Sequence, residues 1–284
     1  MRRNDVKLNF GKSKTATVLA ASCWHYGNPS VSEEGIHKFI QRAKKQQWLH
    51  HGDLIEGITS KDRRFSVDEH KDAILDCVNM AIETLKKAPK TCIGLLKGNH
   101  DDTPSKDIGD LSEFMAHMAG VPYLSATCFL KFIAPKGEST GFFAHGSGGS
   151  NPRAGDPERR YLNRQMWLRN MLSQFEADIA GIGHTHRFTV TPPCSEEKLM
   201  FGDEENVTRT PVKTKPGWYY TCPSMFTTYD LHADKSNYAE MKLYGATDIG
   251  WIEMVFNNDA TIGCVREVYA SGKVKQEHYP KVVG

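Results

Sequence analysis

Five short apolar runs in this chain each stop at residues able to bind metals or carry protons. That pattern limits the fold more than any other feature. Residues 16 to 22 run into Cys23-Trp24-His25, and Trp48-Leu49-His50 runs into Gly52-Asp53. Cys92 to Leu96 ends at Gly98-Asn99-His100, Gly141 to Ala144 at His145, and Asp178 to Ile182 at Gly183-His184. Runs this short read as buried strands, because a helix needs a longer stretch to bury a face. Amphipathic stripes separate them. Ser30 and Glu33 have capping-box spacing ahead of Ile36, Phe39, Ile40 and Ala43, and Ser66 and Glu69 have it ahead of Ala73, Ile74, Val78, Ala81 and Leu85. Asp156-Pro157 reads as N-cap and N1 of a third helix, through about Phe175, that carries Arg159, Arg160, Arg164 and Arg169. Strand alternating with helix makes an α/β fold, in which ligands gather outside the carboxyl ends of strands. One shared site is expected there.

Beyond Thr191-Pro-Pro the texture changes to antiparallel strand. Gly217 to Thr221, Ile249 to Phe256 and Ala260 to Tyr269 are β-rich, with Asn257-Asn258-Asp259 as a turn, and 195 to 216 reads as a long polar loop. With 36 Lys and Arg against 34 Asp and Glu, the net charge of +2 excludes a polyanion coat or supercharged membrane binder. No run of eighteen apolar residues and no h-region after the N-terminus can be found, so neither membrane span nor secretory signal is expected. The seven cysteines are scattered and odd in number, which argues against a secreted disulfide scaffold and for a reducing cytoplasm. In that compartment Asn206-Val-Thr208 is an accidental glycosylation match.

The strand ends hold Cys23 and His25, Asp53 and Glu56, Asn99, His100 and Asp101, His145, then His184 and His186. Divalent cations need such convergent His, Asp and Asn ligands, and an ion that activates water also needs an open coordination position. Read singly, each residue is an ordinary surface or core group. Together, in this order, they suit one composite metal site.

The blocks Cys-x-His, Gly-Asp-x-x-Glu, Gly-Asn-His-Asp, His and Gly-His-x-His resemble the calcineurin-like metallophosphoesterases, over about residues 16 to 190. The resemblance implies a four-layer α/β/β/α sandwich of two mixed sheets flanked by helices, in a single domain 1–284 with a β-rich part from about 191. It also implies two divalent ions: Cys23, His25, Asp53 and His186 at one, Asp53, Asn99, His145 and His184 at the other, with Asp53 bridging. His100 would be the general acid, its ring held by Asp101. The family pattern has Asp where this chain has Cys23, as in the lariat-debranching phosphodiesterases. Sulfur is softer than a carboxylate, so Zn²⁺ or Fe²⁺ is expected there over Mn²⁺. Tyr238-Ala-Glu240 through Asp248-Ile-Gly250 is similar to the tails of phage members of the superfamily.

The activity so implied is phosphoester hydrolysis by metal-activated hydroxide. Gly-Asn-His-Asp, with no Arg soon after His100 and arginines between His145 and His184, favours a phosphodiester of a nucleotide or nucleic acid over a monoester. A weakened metal-binding scaffold is the other reading. Arg160 and Arg164 are candidate phosphate contacts, against the plain alternative of a solvated basic face. His50 and His51 are expected to pack, Glu56 to support, and Gly146-Ser-Gly-Gly149 to form a turn near the site. Trp24 and Tyr26 either stack a base or pack the strand end. No obligate protein partner is evident.

Overall fold

The computed structural model describes residues 2–58, 74–148, 154–201, 207–212, 217–229 and 247–282. Its elements are β1 Arg2–Lys7, β2 Thr15–Ala21, α1 Glu33–Ala43, β3 Gln47–His50, α2 Ile74–Leu85, β4 Cys92–Leu95, α3 Asn99–Ile108, α4 Leu111–Ala119, β5 Thr127–Ala134 and β6 Gly137–Ala144. They continue with α5 Pro157–Leu172, β7 Ile179–Ile182, β8 Thr189–Thr191, β9 Cys194–Phe201, β10 Val207–Val212, β11 Trp218–Thr221, β12 Gly250–Asn257, β13 Ile262–Tyr269, β14 Val274–His278 and β15 Lys281–Val282.

Two mixed six-stranded sheets face each other, in the orders β14-β13-β12-β2-β3-β4 and β1-β5-β6-β7-β11-β8. Strand periodicity explains the continuous apolar runs. In β2, Val18 and Ala20 point into the layer between the sheets, where they meet Phe132, Phe143 and Tyr220. Leu19 and Ala21 point the other way, into a core with Phe39 of α1, Val78 of α2 and Met115 of α4. In β6 the split repeats: Phe143 faces the opposing sheet, and Phe142 packs with Leu168 and Leu172 of α5. Each such strand needs apolar residues on both faces, and each fully buried Phe or Leu contributes about 1.5–3 kcal/mol. Helix, sheet, sheet and helix are thus stacked as an α/β sandwich.

Three expectations are corrected. Helix α1 is capped by Ser32, whose hydroxyl accepts from the Gly35 amide at 3.2 Å, two residues after the expected Ser30. Ser30 is taken up earlier, its amide donating to Asn28 Oδ1 at 3.0 Å in the turn at Pro29. Helix α5 begins as expected, with Asp156 accepting from the Arg159 amide at 2.7 Å, but stops at Leu172. Phe175 instead stacks on Phe142, with ring centroids 3.7 Å apart. Finally, the polar stretch from 195 contains the antiparallel pair β9 and β10, registered from Val212 opposite Glu196 to Val207 opposite Phe201. With β15 paired to β9 these strands form a third sheet, β10-β9-β15, and their charged sequence carries no apolar strand signal. The cap at Ser66, the sequon's Asn206, Gly149 and Tyr238 to Glu240 lie outside the described residues.

Candidate metal centre

The five strand ends do converge, but from both sheets: β2, β3 and β4 on one side, β6 and β7 on the other. Backbone bonds hold the turns together. Cys23 N–H donates to Gly52 O at 2.9 Å, His25 N–H to Asp53 O at 3.2 Å, and Gly183 N–H to His145 O at 2.9 Å. The glycines of the Gly-Asp and Gly-Asn-His motifs permit this approach. A Cβ on Gly98 would lie 2.1 Å from the Asp53 amide nitrogen, and one on Gly52 would lie 2.5 Å from the Gly98 nitrogen. Side chains at either position would force the β3 and β4 ends apart.

Cys23, His25, Asp53, His184 and His186 all have left-handed backbones, with φ of 54°, 54°, 58°, 63° and 53°. Among the described residues only Ser125 and Ala260 share that region without being glycine. An L-residue there costs about 1–3 kcal/mol, and such strain concentrates at functional sites. In Cys23-Trp-His25 and His184-Thr-His186 the strained residues alternate, which turns both side chains of each motif toward one point.

Two clusters meet at Asp53. In the first, His145 Nδ1 donates to the His51 carbonyl at 2.6 Å, and although burial lowers the ring's pKa the Asp53 charge overcomes this and raises it. Nε2 faces Asn99 Oδ1 at 3.0 Å and Asp53 Oδ2 at 3.1 Å, while His184 Nδ1 lies 2.9 Å from Asn99 Oδ1. Asp53 Oδ2 is buried and makes no hydrogen bond. The Asp53 and Asn99 oxygens and the His145 and His184 nitrogens converge within hydrogen-bond distance, so with the ring proton displaced this donor set fits a divalent ion. In the second cluster His25 Nε2 and His186 Nε2 are 3.3 Å apart. Cys23 completes this group, its ligand atom within 4.8 Å of theirs, and the same limit holds for Cys23, Asp53 and His145 and for His25, Asp53 and His100.

The electrostatics agree. Burial pushes Asp53 up, but the charges of His145 and His100 overcome this and hold its carboxyl well below the usual range. Burial, then the Asp53 charge, raise the Cys23 thiol, so ligation by sulfur requires a cation to displace its proton. Burial and then His145 push His184 down to about 4, which leaves a neutral imidazole at pH 7. Burial and then His25 lower His186 as well.

Glu56 clamps two rings. Its Oε2 lies 2.9 Å from His25 Nδ1, and its backbone carbonyl accepts from His100 Nδ1 at 2.6 Å. The place expected for Asp101 beside the His100 ring is therefore taken by Glu56. Asp101 is fully buried, and its carboxylate accepts from the amides of Asp53 (2.9 Å), Leu54 (3.0 Å), Ile55 (3.2 Å) and Gly98 (3.2 Å). With these four bonds it organises the turn.

His51 was expected to pack and holds the site from behind: Nδ1 donates to Ala144 O at 2.8 Å, and Nε2 accepts from Tyr220 OH at 3.0 Å. His50 Nδ1 accepts from the Gly52 amide at 3.1 Å. Trp24 is fully buried, edge-on to Phe39 and His50, and the Tyr26 hydroxyl pairs with Thr84 at 2.8 Å, so both pack the strand end and neither is open to a base. Arg160 is exposed on α5 and bonds Ala154 O at 3.4 Å. Arg164 is half-buried beside the Tyr161 ring, and its guanidinium is lowered by burial and then by Arg187. Arg187 follows His186 directly and escaped sequence reasoning. Its position next to Gly-His-x-His was the available signal.

No protein-family model matches the chain, and no curated protein does. Among solved structures it is similar to Yfce, a phosphoesterase from E. coli, at 13% identity over 93% of this chain and 100% of that one, TM-score 0.42. GAP50, the anchor in the inner membrane complex of Plasmodium, has 11% identity over 96% and 90%, TM-score 0.43. A metallophosphoesterase from Sphaerobacter thermophilus has 14% identity over 94% and 88%, TM-score 0.36. Likenesses this distant assign no activity to the chain. Among the described residues no helix is long and apolar enough to cross a membrane.

Proposed function

We propose that this chain is a metal-dependent phosphoesterase acting on a phosphodiester, with a nucleotide or nucleic acid as the substrate class. One observation carries the reading: Asp53 stands between two clusters, 3.1 Å from His145 Nε2 and 3.9 Å from His25 Nε2, with one carboxylate oxygen unsatisfied. A carboxylate can serve two cations at once, which a neutral imidazole cannot. Cys23, His25, Asp53 and His186 would hold one ion, and Asp53, Asn99, His145 and His184 the other. Divalent cations bound there supply a water made acidic enough to attack at neutral pH, and charge to stabilise phosphoryl oxygens.

The remaining roles belong to side chains. His100 is fixed through Nδ1 on the Glu56 carbonyl, and its Asp53-bonded amide holds the backbone at 2.8 Å. Its Nε2 is the atom that gives a proton to the leaving oxygen. Glu56 orients both His25 and His100. Arg164 and Arg187, with Arg160 on the α5 rim, supply positive charge for a polyanionic substrate.

The test is hydrolysis of bis-p-nitrophenyl phosphate against p-nitrophenyl phosphate, with Mn²⁺, Zn²⁺ and Fe²⁺ supplied in turn, for wild type and Asp53→Ala. Diester turnover that needs metal and Asp53 supports the reading. Turnover of the monoester alone replaces it with a phosphatase, and metal binding without turnover replaces it with a scaffold.

A further inference from the structure

We propose that the cavity beside the Asn99 and His145 edge of the site receives a flat, uncharged aromatic group of the substrate. The proposal rests on the phosphoesterase reading and narrows its substrate class. The cavity holds about 510 Å³, a volume suited to a small organic group. Asn99 and His145 form part of its wall, so a group lodged there lies next to the candidate ligands.

The rest of the wall decides the chemistry. Phe142 and Phe175 line it as a stacked pair, 3.7 Å apart and tilted by only 12°, and Met171 and Ile182 extend the apolar surface. Parallel rings offer a flat face to a further ring, and thioethers pack well against aromatic edges. Lys97 and Asp102 also line the cavity, but they form an ion pair with each other, and Lys97 Nζ is 3.3 Å from Asp110 as well. The lysine is therefore already neutralised. The cavity offers aromatic surface without uncompensated positive charge, which suits a ring better than a second phosphate.

An aryl group and a nucleobase share this chemistry, and the experiment separates them. Three diesters with the same p-nitrophenolate leaving group carry methyl, phenyl or thymidine as the second ester group. They are tested on metal-loaded wild type, Phe175→Ala and Met171→Trp, with thermal melts confirming that each variant is folded. Phe175→Ala removes the stacking ring, and Met171→Trp fills the space.

Wild type should prefer the esters whose second group is phenyl or thymidine over the one with methyl by about tenfold or more in kcat/KM. Each variant should lose about tenfold on those esters through KM while the methyl ester changes less than about twofold. Preference for thymidine over phenyl identifies a nucleoside, and the reverse identifies an aryl ester. Equal effects on all three esters, or no wild-type preference, would overturn the proposal.

A binding arm keeps the pocket separate from the activity. Thymidine 5′-monophosphate and methyl phosphate are titrated into metal-free protein by calorimetry. If no ester is hydrolysed, yet the nucleotide binds wild type and is weakened by both variants, the pocket stands and the phosphoesterase reading falls. If esters are hydrolysed and neither variant alters nucleotide binding or ester preference, the pocket falls and the reading stands.

Discussion

His184 offers a direct measurement of the strain stored in this site. Its φ of 63° is a conformation that glycine accepts freely and alanine does not. Replacing His184 by Ala or by Gly removes the same imidazole and the same 2.9 Å contact with Asn99, so the difference between the two variants reports the backbone alone. The left-handed conformation costs alanine about 1–2 kcal/mol, and the more flexible unfolded chain of the glycine variant returns about 0.4–1 kcal/mol of that. His184→Gly should therefore be more stable than His184→Ala by roughly 0.5–1 kcal/mol, or about 1–4 °C in Tm for a chain of this size. The assay is thermal melting in EDTA, with His37→Gly and His37→Ala in the middle of α1 as a control, where the order should reverse by about 1 kcal/mol. Saturating metal, at about 100 Kd, should add about 2.7 kcal/mol to wild type and much less to either variant. An alanine variant as stable as the glycine variant at 184 would refute the strain argument.

Four further outcomes follow from the geometry. His100→Ala should lower kcat by about 10²–10⁴ on esters with alkyl leaving groups and far less on nitrophenyl esters. An equal loss on both would remove His100 as the acid. Asp101→Asn leaves backbone amides facing an NH₂ group and should destabilise by about 2–4 kcal/mol, so an unchanged urea midpoint would contradict the role given to its four hydrogen bonds. Cys23→Asp should shift the activity ratio toward Mn²⁺ over Zn²⁺. An identical metal profile would show that the thiol is not a ligand. Away from the site, burial pushes Glu267 up, but its bond to His278 and then the Lys275 charge leave its pKa lowered. A depressed folded pKa means stability present above the unfolded value, about 4.3, and lost as pH falls through the folded one. Glu267→Gln should flatten that acid limb of the urea-midpoint profile, and parallel limbs for variant and wild type would disprove it.

The strands that carry the candidate ligands were legible because they are buried on both faces and so appear as unbroken apolar runs. β5 was overlooked, although Cys128, Leu130 and Phe132 alternate inward in the usual way for a strand. Helix α3 was hidden by its own start: it begins on Asn99, so the motif that marks a strand end also opens a helix, with Pro104 inside it. The order of the candidate residues along the chain could be read, whereas their left-handed backbones could not. Cys, His and Asp leave no glycine at those positions to announce them. The exchange of roles between Asp101 and Glu56 was equally hidden, because chain adjacency suggested a contact with the His100 ring that folding assigns to a residue 44 positions away.

The candidate ligands come from opposite sheets, and that has a mechanical consequence. His145, His184 and His186 follow β6 and β7, whereas Cys23, His25, Asp53 and Asn99 follow β2, β3 and β4. Away from the His51 hydrogen bonds, the layer between the sheets is packed by apolar side chains, and such contacts resist separation better than they resist sliding. A cation shared by both groups would act as a rivet through one end of the sandwich and stop the layers from shearing there. Amide protons at the ends of β3 and β7 should then slow together when metal is added, although the two strands pair with different neighbours. The opposite end, where the Lys136 amide donates to Asn258 O at 2.9 Å, would gain no such protection.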